Sequence, residues 1–101
     1  MKKGDILVWK SGYSMILASF YEVLEVSATG KSVKIQEIDS RYRNPAPGAE
    51  TAVPAEEKRY TGKVLQKRVR SDECGEFLTM RPYAGYVRLW DGHPVHVDTY
   101  D

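Results

Sequence analysis

The sequence predicts a mostly β domain, either a small barrel or a strongly curled antiparallel sheet of five to six strands with a long Pro-rich loop. Three features carry that prediction. Short runs rich in Val, Ile, Tyr and Trp recur along the chain; Gly, Pro, Asn and Asp interrupt them at short intervals; and no stretch shows the apolar spacing of an amphipathic helix. β-Branched and aromatic side chains pack well on a pleated, half-buried surface, so their enrichment in short runs favours strands. At 101 residues the chain has the size of one domain spanning 1–101, long enough to bury a core and too short to build two.

The first strand falls at residues 5–10, Asp-Ile-Leu-Val-Trp-Lys, between Gly4 and Ser11-Gly12. Ile6 and Val8 take one side and Leu7 and Trp9 the other, and a strand apolar on both faces belongs inside a sheet or under a cover. Residues 13–18 fit either a short strand or a loop folded over the core. Residues 20–26 and 32–38 form the clearest local unit, a hairpin turned at Gly30, which reaches positive φ at little cost. Phe20, Leu24 and Val26 share a parity that Glu22 breaks, which points to a β-bulge between the two halves of that strand.

Residues 39–62 change character. Arg41-Tyr42-Arg43-Asn44-Pro45-Ala46-Pro47-Gly48 and then Pro54 supply turn formers and few large apolar groups, so a long surface loop is expected. Residues 63–70 then read as a basic strand and 76–81 as a short one. The chain closes with an expected hairpin whose Asp91-Gly92 turn suits type I′, placing Trp90 opposite His93, Arg88 opposite Val95 and Tyr86 opposite Val97.

Charge and composition bound the function. Fifteen basic against fourteen acidic residues leave a net charge of +1, so any electrostatic recognition must come from a local patch. The single cysteine, Cys74, rules out an intramolecular disulfide and suits a reducing compartment. No apolar run approaches the roughly 18 residues of a membrane span, and Met15-Ile16-Leu17-Ala18 is too short for a signal-peptide core. A cytoplasmic protein without a membrane partner is expected.

No catalytic residue, metal site or cofactor is expected. His93 and His96, three apart on a strand, point to opposite faces and cannot chelate one ion between them. Cys74 sits among Asp72, Glu73 and Glu76, whose negative charge opposes a thiolate. Glycine-rich phosphate loops, nucleophile elbows and zinc-protease helices are missing.

The strongest electrostatic feature is residues 58–70, with Lys58, Arg59, Lys63, Lys67, Arg68 and Arg70, no acid, and Tyr60 among them. Such a segment suits a phosphate backbone, with aromatic rings stacking on bases. The same cations also suit an edge strand guarded against pairing with another chain, and Lys63 and Lys67 lie on the opposite parity from Arg68 and Arg70. The expected binding surface joins Arg41, Arg43, Lys67, Arg68 and Arg70, with Tyr13 and Trp90 as aromatic contacts.

Gly4-Asp5-Ile6-Leu7, Ser11-Gly12-Tyr13-Ser14-Met15, Phe20-Tyr21-Glu22-Val23 with Ser32-Val33, and Leu89-Trp90-Asp91-Gly92-His93-Pro94-Val95 resemble segments of a group of short bacterial proteins of no assigned activity. Proteins of that group are often carried by prophages and plasmids. The resemblance covers both ends of the chain and leaves out the Pro-rich centre. It implies a mobile-element context and transfers no catalytic residue.

The expected function is therefore a small non-catalytic binding module for a host or phage protein or a nucleic acid, with no small-molecule ligand. The alternative is a protein-interaction or inhibitor module acting through the Pro-rich loop or a strand edge. A third reading is an enzyme of unrecognised type with His93 or His96 as general base.

Overall fold

The computed structural model describes residues 1–11, 17–43, 50–57, 59–80 and 85–97. They form ten strands and, among the described residues, no helix. In chain order these are β1 (Ile6–Ser11), β2 (Leu17–Val26), β3 (Ser32–Ile38), β4 (Ser40–Arg43), β5 (Thr51–Pro54), β6 (Tyr60–Arg68), β7 (Arg70–Asp72), β8 (Gly75–Thr79), β9 (Tyr86–Leu89) and β10 (Val95–His96). Seven make a curled antiparallel sheet in the order β6-β3-β2-β1-β9-β8-β7, and three make a small sheet ordered β10-β5-β4. None of the described helices is long and apolar enough to cross a membrane, since none is present.

The curl follows from the connectivity. β6 and β7 are the two outer strands of the large sheet, yet only Val69 separates them in sequence, so the edges must meet at that corner. Val69 turns inward there, and its N–H donates to the Lys31 carbonyl at 2.8 Å. Leu7, Tyr21, Val23, Val33, Ile35, Leu78, Met80 and Val87 fill the concave side as one apolar cluster. The other side of β1, β2 and β3 carries a second cluster, in which Phe20 and Ile38 pack with Ala52, Val95 and Val97 from the small sheet and its flank.

β1 is thus covered on both faces, as its double apolar parity predicts: Leu7 enters the first cluster, while Ile6 and Val8 pack against the second. The β2–β3 hairpin also forms as expected, with Gly30 at φ 72° and the Ser27 N–H donating to the Ser32 carbonyl at 2.9 Å. Its register shifts between Val23 and Glu25, which lets Val23 and Val26 both face the concave core.

Three expectations need correction. The strands number ten among the described residues and not five to six, because several are short. Residues 39–62 are not one long loop: β4 and β5 pair there as a hairpin, with Tyr42 opposite Ala52, and Tyr60 opens β6. Ala52 is the reason that hairpin holds, since it is buried against Phe20 and Ile38 in the second cluster. The terminal hairpin also does not form. β9 pairs with β1 and β8, while β10 crosses to the small sheet and pairs with β5.

The failed hairpin has a local cause. A type I′ turn needs positive φ at both central residues, and only Gly92, at 88°, has it. Asp91 instead caps its own turn by accepting the His93 N–H at 2.9 Å, and the Trp90 N–H goes to the Ile6 carbonyl. Pro94, without an N–H, could not continue a ladder with β9. The chain therefore leaves one sheet at Trp90 and joins the other at Val95.

Candidate functional site

Across the outer face of the large sheet, Arg70, Phe77, Arg88, Val8, Phe20 and Ile38 stand directly opposite one another from β7 to β3. Opposed residues in a ladder share a face, so this row is one continuous surface. The small sheet lies over the Val8, Phe20 and Ile38 end, and among the described residues no second layer covers the Arg88, Phe77 and Arg70 end. At the border between the two ends is a groove of about 370 Å³, lined by Val8, Lys10, Tyr86, Arg88, Leu89, Trp90, Asp91 and Val95.

The uncovered end is an aromatic platform held in place by charge. The Phe77 and Tyr86 rings lie 4.5 Å apart at 38°, and the Arg88 guanidinium sits 5.2 Å from the first ring centroid and 5.5 Å from the second. A cation over a ring face is attracted by the ring's quadrupole. Arg88 is held there by Asp72, whose two carboxylate oxygens accept from its two terminal nitrogens at 3.2 and 2.7 Å. That fork holds the Asp72 carboxyl below its ordinary value and raises Arg88 further. Phe77 is buried beneath this arrangement, whereas Tyr86 is 53% exposed.

Trp90 forms the wall of the groove toward the small sheet. Its indole meets Phe20 edge to face, with centroids 5.9 Å apart at 80°, and its Nε1–H donates to the His93 carbonyl at 2.7 Å. Asp91, also on the groove, has its carboxyl lowered chiefly by the backbone hydrogen bond from His93. Lys10, Arg68 and Arg70 are exposed and take part in no ion pair among the described residues.

The residues expected from sequence to form one binding surface separate into groups. Trp90 lines the groove, and Arg70 stands across from Phe77 on the same outer face. Arg68 shares that parity, with inward-turned Val69 between the two arginines, while Lys67 stands opposite Val33 on the concave side. Arg41 and Arg43 lie on β4, paired with Val53 and Thr51, on the solvent side of the small sheet. Tyr13 lies outside the described residues.

Lys10, Phe77, Tyr86, Arg88 and Asp91 are not among the residues singled out from sequence, although β8 and β9 are recognisable as consecutive short strands. Aligning them as a pair, with Phe77 opposite Arg88, would have brought the platform together.

A second hollow of about 280 Å³ lies by Lys3, Gly4, Glu22 and Tyr60, where buried Glu22 accepts the Tyr60 hydroxyl proton in a hydrogen bond. That carboxylate is committed to holding β6 against β2. Neither histidine lines the two hollows described above, and Cys74 is an exposed turn residue whose N–H caps onto Asp72. No family model, curated protein or solved structure matches this chain.

Proposed function

We propose that this protein is a small non-catalytic binding module that takes single-stranded nucleic acid across the uncovered outer face of its curled sheet. The observation that carries this reading is the platform itself. Exposed Tyr86 and the Trp90 wall offer ring faces, and Lys10 and Arg70, without an ion pair among the described residues, stand on either side. By strand spacing, β1 to β7 through β9 and β8 covers about 14 Å.

Single strands expose base faces that stack on aromatic side chains, while their phosphates seek cations, and a surface of this kind serves both. Asp72 neutralises Arg88, whereas Lys10, Arg68 and Arg70 take part in no ion pair among the described residues. The resemblance to proteins of prophages and plasmids supports a binding role by association, and a cytoplasmic setting suits the lone thiol.

The test is fluorescence anisotropy with short labelled homopolymeric strands, in parallel with duplex, over a salt series. With about three phosphates neutralised, the logarithm of affinity for a single strand should fall against the logarithm of salt with a slope near about −2. Replacing Lys10 and Arg70 together with Gln should flatten that slope. Absence of salt-dependent binding at micromolar protein overturns the reading and leaves a protein partner as the reading to pursue.

A further inference from the structure

We infer that the groove beside Trp90 is a subsite for one base of the bound strand, and that Asp91 makes it prefer bases bearing an amino group over uracil and thymine. This rests on the nucleic-acid reading above and adds a specificity to it.

The groove's size and chemistry fit such an occupant. About 370 Å³ is near the lower end of small-ligand pockets, which suits a single nucleotide better than a larger ligand. Val8 and Val95 supply apolar surface for a flat ring, and the Trp90 indole is held rigid by its contact with Phe20 and its bond to the His93 carbonyl. Because that bond occupies the indole N–H, Trp90 offers an incoming base its ring and no donor.

Polar groups left available in the groove are few. One N–H of each terminal nitrogen of Arg88 is taken by Asp72, and the donors that remain suit a phosphate. Lys10, exposed and in no ion pair among the described residues, brings an ammonium to the groove that suits a phosphate. Asp91 is the one acid lining the groove among the described residues, and its carboxylate stays ionised through the His93 N–H while retaining lone pairs for further donors. Adenine, cytosine and guanine each carry an exocyclic amino donor for such a carboxylate, whereas uracil and thymine present carbonyl oxygens in its place. An ionised acceptor facing a carbonyl oxygen is repulsive, so discrimination comes from the disfavoured base as much as from the favoured one.

The experiment is displacement of a labelled mixed-sequence strand by free nucleoside monophosphates, read by anisotropy and by quenching of indole fluorescence. The adenine, cytosine and guanine monophosphates should compete, with the uracil compound about tenfold weaker. D91N should bring the four to within about twofold while leaving the salt slope of strand binding unchanged. The Asn side chain keeps an oxygen to accept the His93 N–H, so the turn is retained; circular dichroism checks this.

Y86A, at an exposed ring, should weaken strand affinity about tenfold. Equal competition by all four monophosphates, or a preference that survives D91N, overturns the subsite even where the strand still binds with its salt dependence. Monophosphate binding without any strand binding overturns the strand reading and keeps the pocket. Loss of both overturns both.

Discussion

The two halves of the large sheet's outer face solve the same problem differently. Under the small sheet, Phe20 and Ile38 are sealed by Ala52, Val95 and Val97, a cover made of aliphatic groups supplied by a hairpin and a crossing strand. Beyond the edge of β10, no third layer is present among the described residues, and Phe77 is instead covered by its neighbours' side chains, Tyr86 and Arg88, with Asp72 locking the guanidinium in place. Short aliphatic groups on and beside paired strands move only with their backbone. A cover of side chains leaves rings and cations within reach of a partner, and this makes the uncovered half the better recognition surface.

That contrast predicts unequal costs for equal truncations. Phe20 is fully buried under the second layer, so F20A should cost about 3–5 kcal/mol through lost burial and the cavity left behind. F77A should cost about 2 kcal/mol, because its 9% exposure and side-chain cover leave less to lose and allow Arg88 and Tyr86 to settle into the space. Urea denaturation of the two variants measures the difference. Equal losses would mean that the side-chain cover is as rigid as the sheet, and the contrast would fail.

Much of the covered half is legible in the sequence. Alternation in residues 5–10 places Leu7 and Val8 on opposite buried faces, and the imperfect alternation around Glu22 points to a bulge, which lies between Val23 and Glu25. Local pattern works there because each strand pairs with its neighbour in sequence. It fails where pairing is non-local. Pro45, Pro47 and Pro54 disguise a hairpin whose stability comes from Ala52 meeting Phe20, a contact no window of sequence contains.

Asp91-Gly92 fails for a related reason: the turn signal is present, but the Trp90 N–H finds the Ile6 carbonyl and Val95 finds Ala52 across the other sheet. The site depends on the same long-range geometry. Arg70 and Trp90 can be picked out as a cation and a ring, but their placement around Phe77, Tyr86 and Lys10 requires the order β1-β9-β8-β7.

An effect comparable to that of F77A is expected at Gly85, where β9 enters the sheet beside the groove. Its φ is +90°, and a Cβ there would lie 2.8 Å from the Lys10 carbonyl oxygen and 3.1 Å from Trp9 Nε1. Backbone is the nearer obstacle, so a side chain cannot be accommodated by a rotamer change alone. G85A should cost about 1–3 kcal/mol and, by displacing the strand that carries Lys10, weaken strand binding as well. Stability loss with unchanged binding would separate the platform from the backbone beneath it.

The smallest effect expected is also the one that separates the two halves most directly. Asp72 and Arg88 are 37% and 31% exposed, so water screens their attraction and the pair matters for position more than for global stability. The Asp72 carboxyl is lowered in the folded protein, first by its hydrogen bonds from Arg88. A lowered folded-state pKa means that the fork is intact above the ordinary carboxylate range and is lost as pH falls through the lowered value.

Protonation removes one acceptor charge, frees the guanidinium and should shift the Tyr86 ring resonances, while those of Phe20 stay fixed under the small sheet. An acid titration followed by NMR should show Tyr86 tracking Asp72 in the wild type and showing no step in that range in D72N. Should Phe20 and Tyr86 move together with one midpoint, acid would be unfolding the whole domain, and the side-chain cover over Phe77 would have no independent existence.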